Sequence, residues 1–322
     1  MKRLLYTLLF FLPCMLIACG GSDDTPDGDN NPPVVAPPSE EPVDSRLLYN
    51  GIRLPEQWPP VRSSSSELEK GMSPFYLSDK PSVINISVGR QLFVDNFLIE
   101  STNLKRTFYY PEYYSGNPIL TPEQDWEKTG TKGAAFAAPF SDGVWYDEKE
   151  GKYKMWYMAG GGSYATSGAG VTCYAESTDG IHWTKPTLSI VAGTNIVDYN
   201  SERDASVIWL DKQESNASKR YKMFLVTRES GKWRYRYKTS PDGKVWRAAA
   251  QSEPIADRST VYKNPFRNVW VYSMRHNIRV DANKLVRARD YNENADPEAG
   301  TKKAEALLSA FWFGPWAVFY TH

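Results

Sequence analysis

Two aspartates occupy equivalent positions in two similar stretches of the sequence, and their carboxyl groups could act in catalysis. Asp204 stands five residues before Trp209, and Asp257 stands five residues before Tyr262. If the two stretches fold alike, the two carboxyl groups converge. Converging carboxylates raise each other's proton affinity, so one can hold a proton while the other is ionised, which suits acid and base catalysis. The alternative is structural, because an aspartate ahead of a strand often caps backbone N–H groups of a turn.

These stretches belong to a longer repeat. Its units carry similar aromatic runs at 152–157 and 220–225, each followed by an Asp-Gly pair and a Trp, and they recur after about 60 residues. A third unit begins at Val261. Short aromatic and β-branched runs between turn residues predict strands, and four strands in a repeat of this length predict a β-propeller blade. A β-helical solenoid is the structural alternative, although its repeats are much shorter.

In a propeller the first strand of each blade lines a central channel. We therefore expect Asp204 and Asp257 to face one funnel at the starts of two inner strands. The corresponding place in the first unit is Phe140, and Asp142 lies two residues further on. Asp95 lies in the earliest run that could belong to the propeller. The remaining aspartates of the repeat are expected to be structural, because they lie in hairpin turns or at strand ends: Asp147, Asp179, Asp211 and Asp242.

The repeat also carries a resemblance to a known family. The Ser-x-Asp-Gly-x-x-Trp pattern, the run 152–157 and the opening stretch Leu92 to Ile99 resemble five-bladed β-propeller glycoside hydrolases of the family 32/43 superfamily, including its Bacteroidetes lipoproteins. The resemblance covers about residues 48–316. It implies an all-β, five-bladed β-propeller, incomplete here because the chain length accounts for about four blades. It also implies hydrolysis of glycosidic bonds by carboxylate acid/base catalysis, without a cofactor.

The resemblance further implies roles for single residues. Arg203 and Asp204 look like the Arg-Asp pair that stabilises the transition state in family 32. Asp95 resembles the early aspartate that serves as nucleophile or base in the superfamily. Asp257 with Arg258 would form the third wall of the catalytic site.

Five other side chains are candidates for the site. The general acid of the family is usually a Glu, and Glu229 is the best placed, with a hairpin tip as the alternative position. Trp145 and Tyr262 could stack on sugar faces, although most Trp residues of the repeat are expected to pack between blades. Arg275 and His276 end a strand of the third unit and could hydrogen-bond sugar hydroxyls or a carboxylate.

The N-terminal residues predict the cellular location of the protein. Lys2 and Arg3 precede an apolar run that ends in the segment 16–19, which resembles the bacterial lipobox with Cys19 as the lipidated residue. We expect a lipoprotein signal peptide at 1–19, a disordered tether at 20–47 that is rich in Pro, Asp, Asn and Gly, and a propeller domain at 48–322. This predicts an outer membrane lipoprotein at the cell surface or in the periplasm. The alternative is an ordinary cleaved signal peptide.

Composition excludes several classes of protein. Lys and Arg number 38 and Asp and Glu number 38, so the charge lacks the basic excess of nucleic-acid-binding domains. Of the 3 cysteines, Cys14 leaves with the signal peptide and Cys19 carries lipid, so Cys173 alone remains in the folded part. A disulfide within the domain and a Cys-based metal site are therefore not expected, and the 3 histidines lack metal-ligand spacing.

Together these features predict a lipid-anchored glycoside hydrolase acting on poly- or oligosaccharides, which contacts the membrane only through its anchor. One alternative is a carbohydrate-binding surface lipoprotein without catalysis. Another is a propeller with a structural or interaction role and no sugar site. The chain length accounts for about four blades, whereas the resemblance implies five. A third alternative is therefore a truncated and inactive propeller.

Overall fold

We describe the protein from a computed structural model. The predicted signal peptide with Cys19, most of the predicted tether and Asp95 lie outside the described residues. The structure describes residues 46–47, 53–54, 56, 58, 82–84, 86, 92–93, 96, 98–128, 135–160, 170–200, 202–279, 282, 285–304 and 311–313.

Strands in this part of the chain form three four-stranded antiparallel sheets, each with its strands in chain order. Sheet 1 contains β1 (Ala137–Asp147), β2 (Lys152–Ala159), β3 (Gly170–Ser177) and β4 (Ile196–Asn200). Sheet 2 contains β5 (Arg203–Leu210), β6 (Tyr221–Glu229), β7 (Lys232–Ser240) and β8 (Arg247–Gln251). Sheet 3 contains β9 (Thr260–Asn264), β10 (Val269–Arg279), β11 (Leu285–Asn294) and β12 (Phe311–Phe313).

Helices are few and short. They are α1 (Asp125–Lys128), a 3₁₀ turn at Ala217–Lys219 and α2 (Pro297–Lys303). The Asp296 carboxylate caps α2 by accepting a hydrogen bond from the Ala299 backbone N–H (2.7 Å). Within the residues placed by the structure, no helix has the length and apolar character needed to cross a membrane.

The sheets pack face to face in chain order. The first strands are neighbours, since β1 contacts β5 and β5 contacts β9. Buried aromatic clusters fill both interfaces, with Trp156 and Tyr221 between sheets 1 and 2 and Phe224 and Trp270 between sheets 2 and 3. Burying rings of this size stabilises each interface through the hydrophobic effect.

This order is that of propeller blades, so the predicted all-β propeller is confirmed, and a solenoid is excluded. About four blades were expected from the chain length. The part of the chain that can be described contains three, and its segment 98–124 has no strand.

The two Asp-Gly turns of the repeat have the same hydrogen bonds. Ser177 Oγ accepts from the Gly180 backbone N–H (2.9 Å), and Ser240 Oγ accepts from the Gly243 N–H (2.8 Å). Asp179 and Asp242 accept from the backbone N–H groups that follow. Both aspartates therefore have the structural role expected of them.

Asp147 is the last residue of β1 and Asp211 directly follows β5, and each of them links its blade to the next. Arg220 of sheet 2 donates to both Asp147 oxygens (2.7 and 2.5 Å), and Lys263 of sheet 3 donates to Asp211 (3.1 Å). Buried lysines on the second strands, Lys154 and Lys222, add ion pairs of 3.1 Å to the same two carboxylates. These aspartates are structural as well.

Candidate functional site

The inner strands of sheets 1 and 2 each carry a β-bulge close to their first residues. In β1 the pairing with β2 shifts register between Ala138 and Gly143, and in β5 the pairing with β6 shifts between Arg203 and Ser206. A bulge bends its strand and re-aims the side chains beside it. The Ser206 backbone N–H donates to the Ser141 hydroxyl (3.0 Å), which joins the two bulges at one end of the sheets.

The bulge in β1 depends on Gly143. Its φ of 131° is a conformation that residues with a Cβ rarely adopt. A Cβ at this position would lie 2.9 Å from the Ile208 carbonyl oxygen of sheet 2. The glycine therefore permits the close approach of β1 to β5 that brings Asp142 to Arg203.

Asp142 and Arg203 form a buried ion pair between sheets 1 and 2. Arg203 Nη2 donates to Asp142 Oδ1 (2.7 Å) and Nη1 donates to the Thr172 hydroxyl (2.7 Å), and both charged side chains are 0% exposed. Burial raises the pKa of Asp142, and the positive charge of Arg203 opposes that rise. Among the described residues Asp142 Oδ2 has no hydrogen-bond partner, although the nearby Ser206 hydroxyl lowers the pKa of Asp142. Arg203, predicted to contact substrate, thus lies behind the site surface.

Asp204 faces the loop that precedes sheet 3. Its Oδ2 accepts from the Arg258 backbone N–H (2.5 Å), and its Oδ1 lies 3.4 Å from Arg258 Nη1. Arg258 has a φ of 59°, which is uncommon for a residue other than glycine, and its guanidinium lies 4.6 Å from the Phe140 ring centroid. The contacts with Asp204 and Phe140 therefore hold a backbone conformation that costs free energy, a feature found at functional sites.

Asp257 lies beside the same loop and pairs with a different arginine. Its carboxylate makes an ion pair with Arg275 Nη1, and the two side chains are 31% and 13% exposed. Burial lowers the pKa of Arg275, the charges of Arg287 and Arg289 lower it further, and the charge of Asp204 raises it. Asp257 directly precedes Arg258, whose backbone N–H and guanidinium group contact Asp204, so both aspartates belong to one polar cluster.

Asp290 of β11 is an acidic residue that the sequence reasoning missed. Its Oδ2 lies 3.0 Å from His276 Nδ1, and the two side chains are 3% and 13% exposed. Burial raises the pKa of Asp290, and the hydrogen bond to His276 opposes the rise. The signal available in the sequence was the charged stretch Arg-Ala-Arg-Asp at 287–290.

The predicted aromatic contacts lie away from the aspartates. Trp145 Nε1 donates to the Ile208 carbonyl (2.7 Å), and its ring packs edge-on against Trp209, 4.9 Å between centroids. Trp209 lies five residues along β5 from Asp204, about 16 Å in an extended strand. Tyr262 is 43% exposed and lies five residues after Asp257. The structure therefore does not bring these two rings to the carboxylates.

Glu229, the candidate general acid, ends β6. Thr227 of β6 pairs with Arg203, so Glu229 lies at the same end of sheet 2 as Asp204 but one strand further out. Its carboxylate pairs with Arg236 and lines a cavity of about 390 Å³ together with Lys238 and the small side chains of 248–250. Glu229 thus faces a cavity of the outer strands.

The cluster offers two partly exposed carboxyl groups, those of Asp204 and Asp257, and each lies beside a guanidinium group. Among the residues with a described placement, no group of three or more His, Cys, Asp or Glu could hold a metal ion.

No protein-family model matches the chain, and no curated protein is found to be similar to it. Solved structures that the chain resembles include glycoside hydrolases. The GH32 beta-fructofuranosidase of Bombyx mori is 13% identical, with a TM-score of 0.36, and the match covers 54% of this chain and 37% of that enzyme. Sucrose-6-phosphate hydrolase from Lactobacillus gasseri is 15% identical, with a TM-score of 0.41, over 59% of this chain and 37% of its own.

A third structure, from work on GH130 glycoside hydrolases that target beta-1,2 mannosidic linkages in Candida mannan, is 12% identical with a TM-score of 0.32. It is matched over 63% of this chain and 64% of its own. The chain spans little more than a third of the GH32 enzyme and of the sucrose-6-phosphate hydrolase. The fold assignment rests on the sheet order and the blade interfaces described above.

Proposed function

We propose that the protein is a glycoside hydrolase that cleaves glycosidic bonds of poly- or oligosaccharides with paired carboxyl groups. The observation that carries the proposal is the polar cluster of Asp204 and Asp257. Asp204 contacts Arg258 of the loop before sheet 3, and Asp257 of the same loop contacts Arg275 of β10. Partial exposure of both side chains leaves room for contact with a ligand.

Glycoside hydrolysis needs one carboxylate as nucleophile or base and one protonated group that delivers a proton to the leaving oxygen. We assign the role of nucleophile or base to Asp204 and Asp257, because both carboxyl groups are partly exposed and each lies beside a guanidinium group. We assign proton donation to no described carboxyl group. Asp290 and His276 directly follow Arg289 and Arg275, so they project to the opposite face of the β10–β11 hairpin from the arginine that holds Asp257. Asp95 remains a candidate nucleophile on the basis of the sequence.

Arg258 and Arg203 would support the aspartates in different ways. Arg258 holds Asp204 from the exposed side, so it could also contact a sugar hydroxyl. Arg203 lies behind Asp204 and donates from Nε to the Asp204 carbonyl (3.3 Å), so it positions the strand that carries the carboxylate.

We also propose that Cys19 carries the lipid that anchors the protein to the outer membrane. The proposal rests on the lipobox-like segment 16–19 and the polar tether that follows it. Metabolic labelling with an alkyne fatty acid tests it: labelled protein that loses its label in Cys19→Ser is expected. Unlabelled protein would contradict the anchor.

Carbohydrate binding without turnover is a second candidate, favoured by the observation that Asp204 and Asp257 are both engaged in ion pairs. A panel of oligosaccharides and aryl glycosides separates the two functions. We expect turnover by the full chain and a loss of about a hundredfold or more in Asp204→Asn and in Asp257→Asn.

Asp125→Asn is the matched control, because Asp125 is exposed at the start of α1 and remote in sequence from the cluster. It should retain full turnover. If Asp204→Asn turns over substrate as fast as the unmodified protein, Asp204 has no catalytic role. Saturable binding of sugars with no turnover by any form of the protein would favour the binding function.

A further inference from the structure

The hairpin of β10 and β11 carries three arginines on one face. Arg275 lies directly opposite Arg289, and Arg287 lies directly opposite Asn277. Opposed residues in an antiparallel pair project to the same face, as do residues two positions apart on one strand. Arg275, Arg287 and Arg289 are called the arginine face below.

The charge of the arginine face is not balanced. Asp257 pairs with Arg275. No carboxylate oxygen in the part of the chain described lies within 4.0 Å of a guanidinium nitrogen of Arg287 or Arg289. Burial lowers the pKa of Arg289. A cation that is partly removed from water is unfavourable unless an anion accompanies it.

Backbone contacts hold the Arg289 guanidinium in place. Its Nη1 donates to the carbonyl oxygens of Arg258 (2.6 Å) and Ser273 (3.3 Å). These bonds leave Nε and Nη2 without an acceptor among the described residues, and the buried Nε of Arg275 also has none there. Fixed, forked donors of this kind match the paired oxygens of a carboxylate or a sulfate.

We propose that the arginine face binds the oxyanion group of an acidic sugar unit, either a uronate carboxylate or a sugar sulfate. This inference rests on the proposed function, since it names the substrate class of the same site. Asp257 is 31% exposed beside Arg275, so the acidic sugar would lie next to the carboxylates. The exposed Arg287 adds attraction for an approaching anion. The protein therefore prefers acidic to neutral oligosaccharides.

Isothermal titration calorimetry of the full chain tests the preference. The ligands are a galacturonate oligosaccharide, a sulfated galactose oligosaccharide and a neutral galactose oligosaccharide of equal length, at low and at physiological salt. We expect one or both acidic ligands to bind at least about tenfold more tightly than the neutral one, with a smaller difference at higher salt. Which acidic ligand binds more tightly distinguishes a carboxylate from a sulfate site.

Two variants assign the preference to the arginine face. Arg289→Met is expected to reduce acidic binding about tenfold or more and to leave neutral binding unchanged. Arg287→Met, at an exposed position, is expected to weaken acidic binding several-fold without affecting folding. Arg247→Met is the matched control, because Arg247 is an exposed arginine of β8 at the opposite end of sheet 2, and it should change neither.

Equal affinity for acidic and neutral ligands would overturn the proposal. So would a preference that persists in both Arg289→Met and Arg287→Met. If Arg289→Met does not fold, Arg289→Lys replaces it, since a lysine keeps the charge but loses the forked donors. Because the readout is binding, selective acidic binding without any hydrolysis would contradict the proposed function alone, whereas hydrolysis of neutral glycans without acidic preference would contradict this inference alone.

Discussion

Three aspartates of the site differ in how far each is removed from water, and this difference sets what each can do. Asp142 is fully buried and bound to Arg203, Asp204 is 13% exposed, and Asp257 is 31% exposed. A buried carboxylate can only hold its partner in place, because a ligand cannot reach it. Partly exposed carboxylates can contact a ligand and still feel the field of neighbouring arginines, which is stronger than in bulk water.

Removing one member of the buried pair should destabilise the fold strongly. Asp142→Ala leaves the Arg203 guanidinium buried without a counter-charge, and breaking such a pair costs about 3–5 kcal/mol. Urea unfolding should therefore show a large loss of unfolding free energy. The control is Glu148→Ala, whose partner Lys212 is 52% exposed, and it should leave the unfolding free energy nearly unchanged. Similar losses in both variants would contradict the assignment of Asp142.

The lowered pKa of Asp147 predicts that acid destabilises the fold. Burial alone would raise its pKa, but hydrogen bonds from Arg220, Tyr221 and Lys154 outweigh burial and hold the pKa well below its usual range. A carboxyl whose pKa is lowered in the folded state contributes stability above its unfolded pKa, near 3.9, and loses it as pH falls through the folded pKa. Stability should decline below about pH 4, and Asp147→Asn should show a weaker decline from a lower starting value. Equal pH slopes for both proteins would contradict this.

At the scale of secondary structure, hairpins and bulges determine which side chains come into contact. The inner strands β1 and β5 bend at bulges that are joined by the hydrogen bond between Ser206 and Ser141. The Asp-Gly turn of sheet 2, at the other end of the blades, packs against sheet 1, because Trp156 Nε1 of sheet 1 donates to the Gly243 carbonyl (2.7 Å). Turns and bulges thus connect the blades as well as the strands within them.

A Cβ at the turn of sheet 2 should therefore damage the blade interface. In Gly243→Ala the new atom would lie 2.3 Å from Trp156 Cζ2, and the φ of 78° adds backbone strain. Gly193→Ala has the same strain, with a φ of 80°, but its Cβ would meet nothing within 4 Å. We expect Gly243→Ala to lower the unfolding free energy by about 1–3 kcal/mol more than Gly193→Ala. Equal effects in chemical denaturation would argue against a tight interface at Gly243.

Stability is unevenly distributed over the whole molecule. Aromatic side chains in the centre of the blade interfaces, such as Trp156 and Tyr221, are fully buried, whereas those of the segment 108–114 are mostly exposed; Tyr109 is 91% and Tyr113 is 97% exposed. This segment has no regular secondary structure. Packed blades open only through large fluctuations, while a segment with few buried contacts is accessible to other proteins at almost no cost.

Limited proteolysis with chymotrypsin should reveal this distribution. The first cuts within the part of the chain described should fall after aromatic residues of 108–114, because the protease needs an exposed and extended segment. Tyrosines of β6 and β7, such as Tyr221 and Tyr235, should be cut only after global unfolding. Mass spectrometry of the early fragments measures the order. Early cleavage within sheet 2 would contradict the packing described here.

Several features were predictable from the sequence because they follow from local patterns. The turns at Asp179 and Asp242 follow from Ser-x-Asp-Gly, whose side-chain oxygens satisfy nearby backbone N–H groups. Alternating aromatic and β-branched residues predicted the strands, and their recurrence predicted blades stacked in chain order. Register within the repeat also identified Asp204 and Asp257 as residues at equivalent strand starts.

The partners of these residues were decided by the tertiary structure alone. The Asp142–Arg203 pair spans two sheets, and its burial depends on a bulge in β1 that the local sequence pattern did not predict. Arg275 and Arg289 meet because β10 and β11 pair in one particular register, and the pKa of Asp290 is raised because neighbouring strands remove its carboxyl group from water. The sequence determines which side chains each strand carries. The electric field at a side chain, its burial and its distance from other charged groups depend on several strands together, so they are set only when the blades have packed.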